Sequence, residues 1–196
     1  MRHAIFVCIA VGIVAVGALL LYPPKELGEK EGMRITSSAF SSGGQIPTKY
    51  AADGENISPP LIIENIPDNT ASLVIIMDDP DAPGGTFTHW LLWNIAPPLM
   101  GVPEVEPATS INIPENIPPA EIVEVLDTAR QGTNDFGEIG YGGPSPPPGS
   151  PHHYHFTAYA LDTLLDLEPG ATRDQLEAAM EGHVLDQAVL VGVYQR

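Results

Sequence analysis

With 196 residues, 43% of them hydrophobic, the chain is long enough for one domain with a sizeable core and a short appendage. Its 25 acidic against eight basic side chains give a formal charge of −17, which repels nucleic acid and anionic headgroups and excludes a nucleic-acid role. The 21 prolines and 19 glycines favour a turn-rich β fold, and the one cysteine excludes an internal disulfide.

The appendage comes first. Residues 4–21 are eighteen uncharged, mostly apolar residues that include Cys8, so residues 1–21 are expected to be a membrane-spanning anchor or, alternatively, a cleaved signal peptide. Residues 22–32 read as a polar linker, and 33–196 as the domain. The first 31 residues carry three cations and three acids, so the whole net charge of −17 resides in the domain. A signal-anchor reading places the domain outside the membrane, tethered if the segment is retained and secreted if it is cleaved.

Within the domain, residues 34–40 predict a first strand and 61–63 a short one. Two unbroken apolar runs, 73–77 and 89–95, predict strands buried on both faces. Residues 96–133 are rich in proline and acid and are expected to contain an insertion, with 122–126 either a helical turn or a strand. Residues 140–150 hold four glycines and four prolines and must be a loop. Residues 152–161 predict a strand with His152, Tyr154 and Phe156 on one face and His153 and His155 on the other. Thr172 and Gln175 form a capping-box pattern that opens a helix, with Leu176, Ala179, Met180 and His183 on one face and Gly182 as its stop. Residues 187–194 predict a final strand, giving a mostly β chain with one or two short helices.

Chemistry concentrates in two loops. The first, Asp78-Asp79-Pro80-Asp81-Ala82-Pro83, connects the two buried strands and is followed by His89. Pro80 and Pro83 stiffen it, and the Ala82–Pro83 bond is expected to be cis. Asp78 is expected to cap the loop or face solvent. The second is Gly142-Gly143-Pro144 with His152 and Tyr154 beyond it. Two carboxylates and two histidines also admit a divalent cation, but no His-x-x-x-His or Cys pair supplies ligand spacing on one element, so no metal is expected. Ser145 lies in a proline-rich loop without a nucleophile elbow, so no catalytic residues are expected.

Asp79-Pro80-Asp81-Ala82-Pro83 with His89, and Gly140-Tyr141-Gly142-Gly143-Pro144 through Pro151-His152-His153-Tyr154-His155-Phe156, resemble the two signatures of the phosphatidylethanolamine-binding protein family, which includes the Raf kinase inhibitor proteins. Ser58-Pro59-Pro60-Leu61, Asn134-Asp135-Phe136-Gly137 and Gly182-His183-Val184-Leu185 follow in family order. The resemblance implies a β-sandwich of antiparallel strands over 33–196 and a small-anion or phosphoethanolamine pocket lined by Asp79, Asp81, Pro83, His89, Gly142, Gly143, Pro144, His152 and Tyr154. Glycine N–H groups and a histidine would hold phosphate, and Asp79 would accept an ammonium or orient a histidine. Ser145 stands where prokaryotic relatives carry cysteine, so their thiol chemistry does not carry over. The resemblance implies no cofactor and no enzymatic activity. Its second implication is a protein target, a serine protease or a kinase.

Overall fold

The computed structural model describes residues 31–97, 110–126 and 129–196. The expected anchor and most of the linker lie outside the described residues, as does part of the expected insertion. Among the described residues no helix is long and apolar enough to cross a membrane.

Among the described residues, ten strands and one α-helix follow in order. They are β1 (Arg34–Thr36), β2 (Gly44–Gln45), β3 (Leu61–Glu64), β4 (Ser72–Asp79), β5 (Phe87–Ile95), β6 (Ser110–Ile113), β7 (Ile122–Val123), β8 (Ala129–Gln131), β9 (His152–Leu161), α1 (Arg173–Met180) and β10 (Val184–Tyr194). A three-stranded sheet has the order β1-β3-β6, and a seven-stranded sheet the order β2-β10-β9-β4-β5-β8-β7. Among the described strands every pairing is antiparallel except β2 with β10, which is parallel, so the sandwich is not wholly antiparallel as expected.

The unbroken apolar runs of β4 and β5 are explained by packing on both faces of the large sheet. Leu73, Ile75, Met77, Trp90 and Leu92 face the small sheet, where Ile35, Leu61, Ile63 and Ile113 complete one core. Val74, Ile76, Leu91 and Trp93 face Leu176 and Met180 of α1 and Leu165 in a second core. Each such fully buried side chain contributes about 1.5–3 kcal/mol. The helix starts at the expected capping box of Thr172 and Gln175, and Gly182 follows it at φ +80°. His183, expected on the buried face, is instead exposed and bonds Asp162 at 2.8 Å, because the helix ends at Met180 before its register reaches that residue.

Two further expectations are corrected. The first strand is three residues, since Ser37 turns the chain: its hydroxyl donates to the Pro60 carbonyl and accepts the Ala39 N–H. No peptide bond among the described residues is cis, Ala82–Pro83 included. The β4–β5 connection spans seven residues and has Gly85 at φ +109°, enough to reverse the chain with trans prolines. Residues 122–126, left open between strand and helical turn, divide into β7 and a 3-10 turn at Glu124–Leu126.

Candidate functional site

The site is set by a one-residue slip between β4 and β5. Ile76 pairs with Leu91 and Met77 with Trp90, but Asp78 pairs with Thr88 and Asp79 with Phe87. His89 is therefore the extra residue of a β-bulge, a device that re-aims a side chain at a strand end. Strict alternation would have placed His89 with Leu91 and Trp93 on the helix side. The bulge turns it to the opposite face, where its ring meets Tyr154 edge-on at 5.2 Å. Thr88 takes the helix side, with its hydroxyl 3.3 Å from the Arg173 guanidinium.

Asp79 closes β4 on the same face as His89, and His152 opens β9 there. The His152 Nδ1–H donates to Asp79 Oδ2 at 2.7 Å, both side chains being buried. The carboxylate can only accept, so Nδ1 carries the proton and Nε2 is the ring atom left for other partners. Asp79 Oδ1 accepts the Asp81 N–H at 2.9 Å, so both oxygens of Asp79 already have a donor. His89 Nδ1–H donates to the Gly142 carbonyl at 2.7 Å, while the Gly142 N–H returns to the His89 carbonyl at 2.9 Å. Burial pushes the His89 ionisation down, more than the hydrogen bond to Gly142 and the charge of Asp79 raise it, so the ring is held neutral with Nε2 as an acceptor.

These groups floor a cavity of about 190 Å3. Asp79, His89 and His152 are its polar members, with Ala82, Pro83, Phe87, Phe136, Pro146 and Pro147 as apolar walls and Ser145 beside them. Phe87, Phe136 and His89 pack against one another with ring centroids 4.7–5.3 Å apart. No Lys or Arg among the described residues lines the cavity. Among the described residues no group of three or more His, Cys, Asp or Glu is placed to hold a metal ion.

Of the nine residues singled out in the sequence, four line this cavity: Asp79, Pro83, His89 and His152. Gly142 and Gly143 line a neighbouring cavity of about 120 Å3 with Ala52, Asn56, Phe136 and Glu138. Their N–H groups, expected to reach phosphate, are committed within the protein, Gly142 to His89 and Gly143 to Asn56 Oδ1 at 2.7 Å. Packing explains why they are glycines: a Cβ on Gly142 would meet the Phe136 ring at 2.6 Å. Asp81 lies outside the cavity and staples the loop to β9, its Oδ2 accepting both the N–H and the Nδ1–H of His153. Pro144 accepts the Ala52 N–H through its carbonyl. Tyr154 lies behind the floor; its hydroxyl is buried near Asp79 and the Ser145 backbone but meets neither at hydrogen-bonding geometry. Burial, then the Asp79 charge, raises its ionisation far enough to keep the phenol neutral.

Asp78 is a further correction. It is buried, and its carboxylate accepts from the Arg173 guanidinium, because β4 directs it to the helix side of the sheet. The aromatic walls were not found from the sequence. Phe136 stands in the Asn134–Gly137 stretch that the resemblance marks, and that order was its only signal.

The family model for phosphatidylethanolamine-binding proteins matches residues 36–195. The chain belongs to the phosphatidylethanolamine-binding protein family. A UPF0098 protein of Pyrococcus horikoshii is 52% identical over 170 residues, covering 86% of this chain and 80% of the relative. Another from Methanothermobacter thermautotrophicus is 47% identical and is covered over 99% of its length. Among solved structures, a phosphatidylethanolamine-binding protein homologue from Chlamydia trachomatis superposes with TM-score 0.69 at 41% identity, covering 84% of this chain and 98% of its own. YbcL of E. coli, described as a new member of the mammalian family, superposes with TM-score 0.73 at 28% identity, covering 85% and 99%. The phosphatidylethanolamine-binding fold is thus shared over nearly the whole described domain, in its prokaryotic branch.

Proposed function

We propose that this member of the family is a binding module whose cavity takes the phosphate group of a small anion or of a phosphoethanolamine-type headgroup. The observation that carries the reading is the buried Asp79–His152 pair on the floor of an otherwise apolar cavity. With Nδ1–H held by Asp79, a protonated His152 has its Nε2–H to donate to a phosphate oxygen, and Asp79 stabilises the imidazolium so formed. Asp79 is thereby a positioning residue for His152. His89, neutral and with Nδ1 committed, complements this by accepting through Nε2 from the hydroxyl of a monoprotonated phosphate. The proline and phenylalanine walls offer no competing polar side chain and lower the local dielectric on that side, which strengthens both contacts. Among the described residues no Lys or Arg lines the cavity to assist the imidazolium, so the reading is of a selective site of modest affinity.

The apolar segment 4–21 would then hold the module close to a bilayer: eleven linker residues reach on the order of 35 Å. Calorimetric titration of the wild-type chain with inorganic phosphate and with phosphoethanolamine tests the reading. Both should bind, and His152→Ala should weaken both by tenfold or more, since a charge-assisted hydrogen bond is worth about 1.5–3 kcal/mol. Equal affinities in wild type and variant reject it.

A further inference from the structure

The cavity and the point where the chain enters the domain lie at opposite ends of the large sheet. Asp79 ends β4, Phe87 begins β5 and His152 begins β9, so the cavity is built on one end of these strands. The chain enters at the other end. There the Met33 N–H donates to Asp186 Oδ2 at 2.9 Å, and the Gly32 carbonyl accepts from Asn65 Nδ2 at 3.3 Å. Asp186 pairs with Ala160 of β9, and from Ala160 back to His152 the strand covers about 26 Å.

Two large apolar side chains are exposed at the entry end. Leu164 is 58% and Val184 45% exposed. The segments that carry them are joined by the Asp162 N–H on the His183 carbonyl at 3.1 Å and by the His183 Nδ1–H on Asp162 Oδ1 at 2.8 Å. The sequence that arrives at this end brings the eighteen uncharged residues 4–21 on the linker 22–32. Fully extended, that linker spans on the order of 35 Å, but relaxed it spans only about 18 Å. With Leu164 and Val184 towards a bilayer the linker stays relaxed. Turning the cavity to the bilayer would carry Met33 at least about 26 Å away and draw the linker near its limit, at a cost in chain entropy.

We infer that the domain stands with its Leu164–Val184 end against the bilayer that holds residues 4–21 and its cavity turned to the aqueous side, so that the phosphate compound it takes is water-soluble and not a headgroup of that bilayer. The inference rests on the reading proposed above for its ligand and on residues 4–21 as an anchor for its orientation. The full chain carrying Cys8→Ser, reconstituted in phosphatidylcholine vesicles, is labelled with a fluorophore at Leu164→Cys or at Ser150→Cys, both exposed positions. Nitroxide carried on the lipid headgroups should quench the label at 164 and leave the label at 150 bright. Equal quenching, stronger quenching at 150, or a chain that does not float with the vesicles overturns the inference. The ligand is then tested with the unlabelled chain in the same vesicles. Phosphoethanolamine added to the water should bind, and replacing part of the phosphatidylcholine by phosphatidylethanolamine should leave its apparent affinity unchanged. A loss of apparent affinity, which is competition from the host bilayer, overturns the inference while the parent reading stands. Absence of phosphoethanolamine binding in both kinds of vesicle removes the parent reading, and the quenching still decides the orientation.

Discussion

Arg173→Ala should destabilise the domain by about 2–3 kcal/mol at pH 8, with a smaller deficit at pH 5. Asp78 is buried at the end of β4 and its carboxylate is held by the Arg173 guanidinium, which also bonds Glu177 at 2.8 Å. Removing one partner of such a pair leaves an uncompensated buried charge, which costs about 3–5 kcal/mol when burial is complete. The Arg173 side chain is 28% exposed, which places this case at the lower end. The pH dependence follows from the direction of the Asp78 shift. Burial raises its ionisation above the usual 3.8, opposed by Arg173. A raised carboxyl contributes stability that is present at low pH and lost as pH rises through the folded-state value. Without Arg173 the opposition is gone, the folded-state value rises further, and the protonated carboxyl becomes the state the fold tolerates. Thermal unfolding of wild type and variant at the two pH values checks this. A deficit that stays constant with pH would mean that Arg173 acts by packing and not by charge.

Gly143→Ala is expected to lower the melting temperature by about 6–12 °C, from a cost of about 3 kcal/mol in a domain of this size. A Cβ there would lie 2.4 Å from the Tyr50 carbonyl oxygen and 2.8 Å from the Ala51 carbonyl carbon. Both are backbone, in a segment tied down by the Tyr141 hydroxyl on the Tyr50 carbonyl and by the Ala52 N–H on Pro144. Neither can retreat without displacing the 140–150 loop, whose Ser145, Pro146 and Pro147 wall the cavity. Gly84, in the other site loop, is the control: a Cβ there meets nothing within 4 Å, and Gly84→Ala should change stability by no more than about 0.5 kcal/mol. Differential scanning calorimetry of the two variants compares them directly. Similar melting temperatures would show that the glycine-rich loop is not packed as described.

Local signals in the sequence proved reliable, and contacts between distant segments did not. β9 has its expected limits and alternating faces, since ten residues of period-2 pattern leave one arrangement that buries His152, Tyr154 and Phe156 together. The capping box of α1 was legible for the same reason, being written in four adjacent residues. The His89 bulge was invisible, because a register slip depends on how β4 and β5 pair and not on either strand alone. Asp78 was misplaced because its partner lies 95 residues away. Gly142 and Gly143 signalled a close approach correctly, and what approaches them within the protein is Phe136 and the Tyr50–Ala51 backbone, the latter far away in sequence. The parallel pairing of β2 with β10 joins a two-residue strand to the last one and leaves no local pattern to read.

The account turns on His152 Nε2 as the atom that meets phosphate, with Nδ1 committed to Asp79. Imidazole 15N spectra of the full chain, recorded during a titration with phosphoethanolamine, observe both nitrogens at once. His152 Nδ1 should be protonated throughout, while Nε2 moves towards the protonated, hydrogen-bonded position as the ligand saturates; Asp79→Asn should blunt that movement. A His152 ring whose two nitrogens stay unmoved while phosphoethanolamine binds would contradict the account.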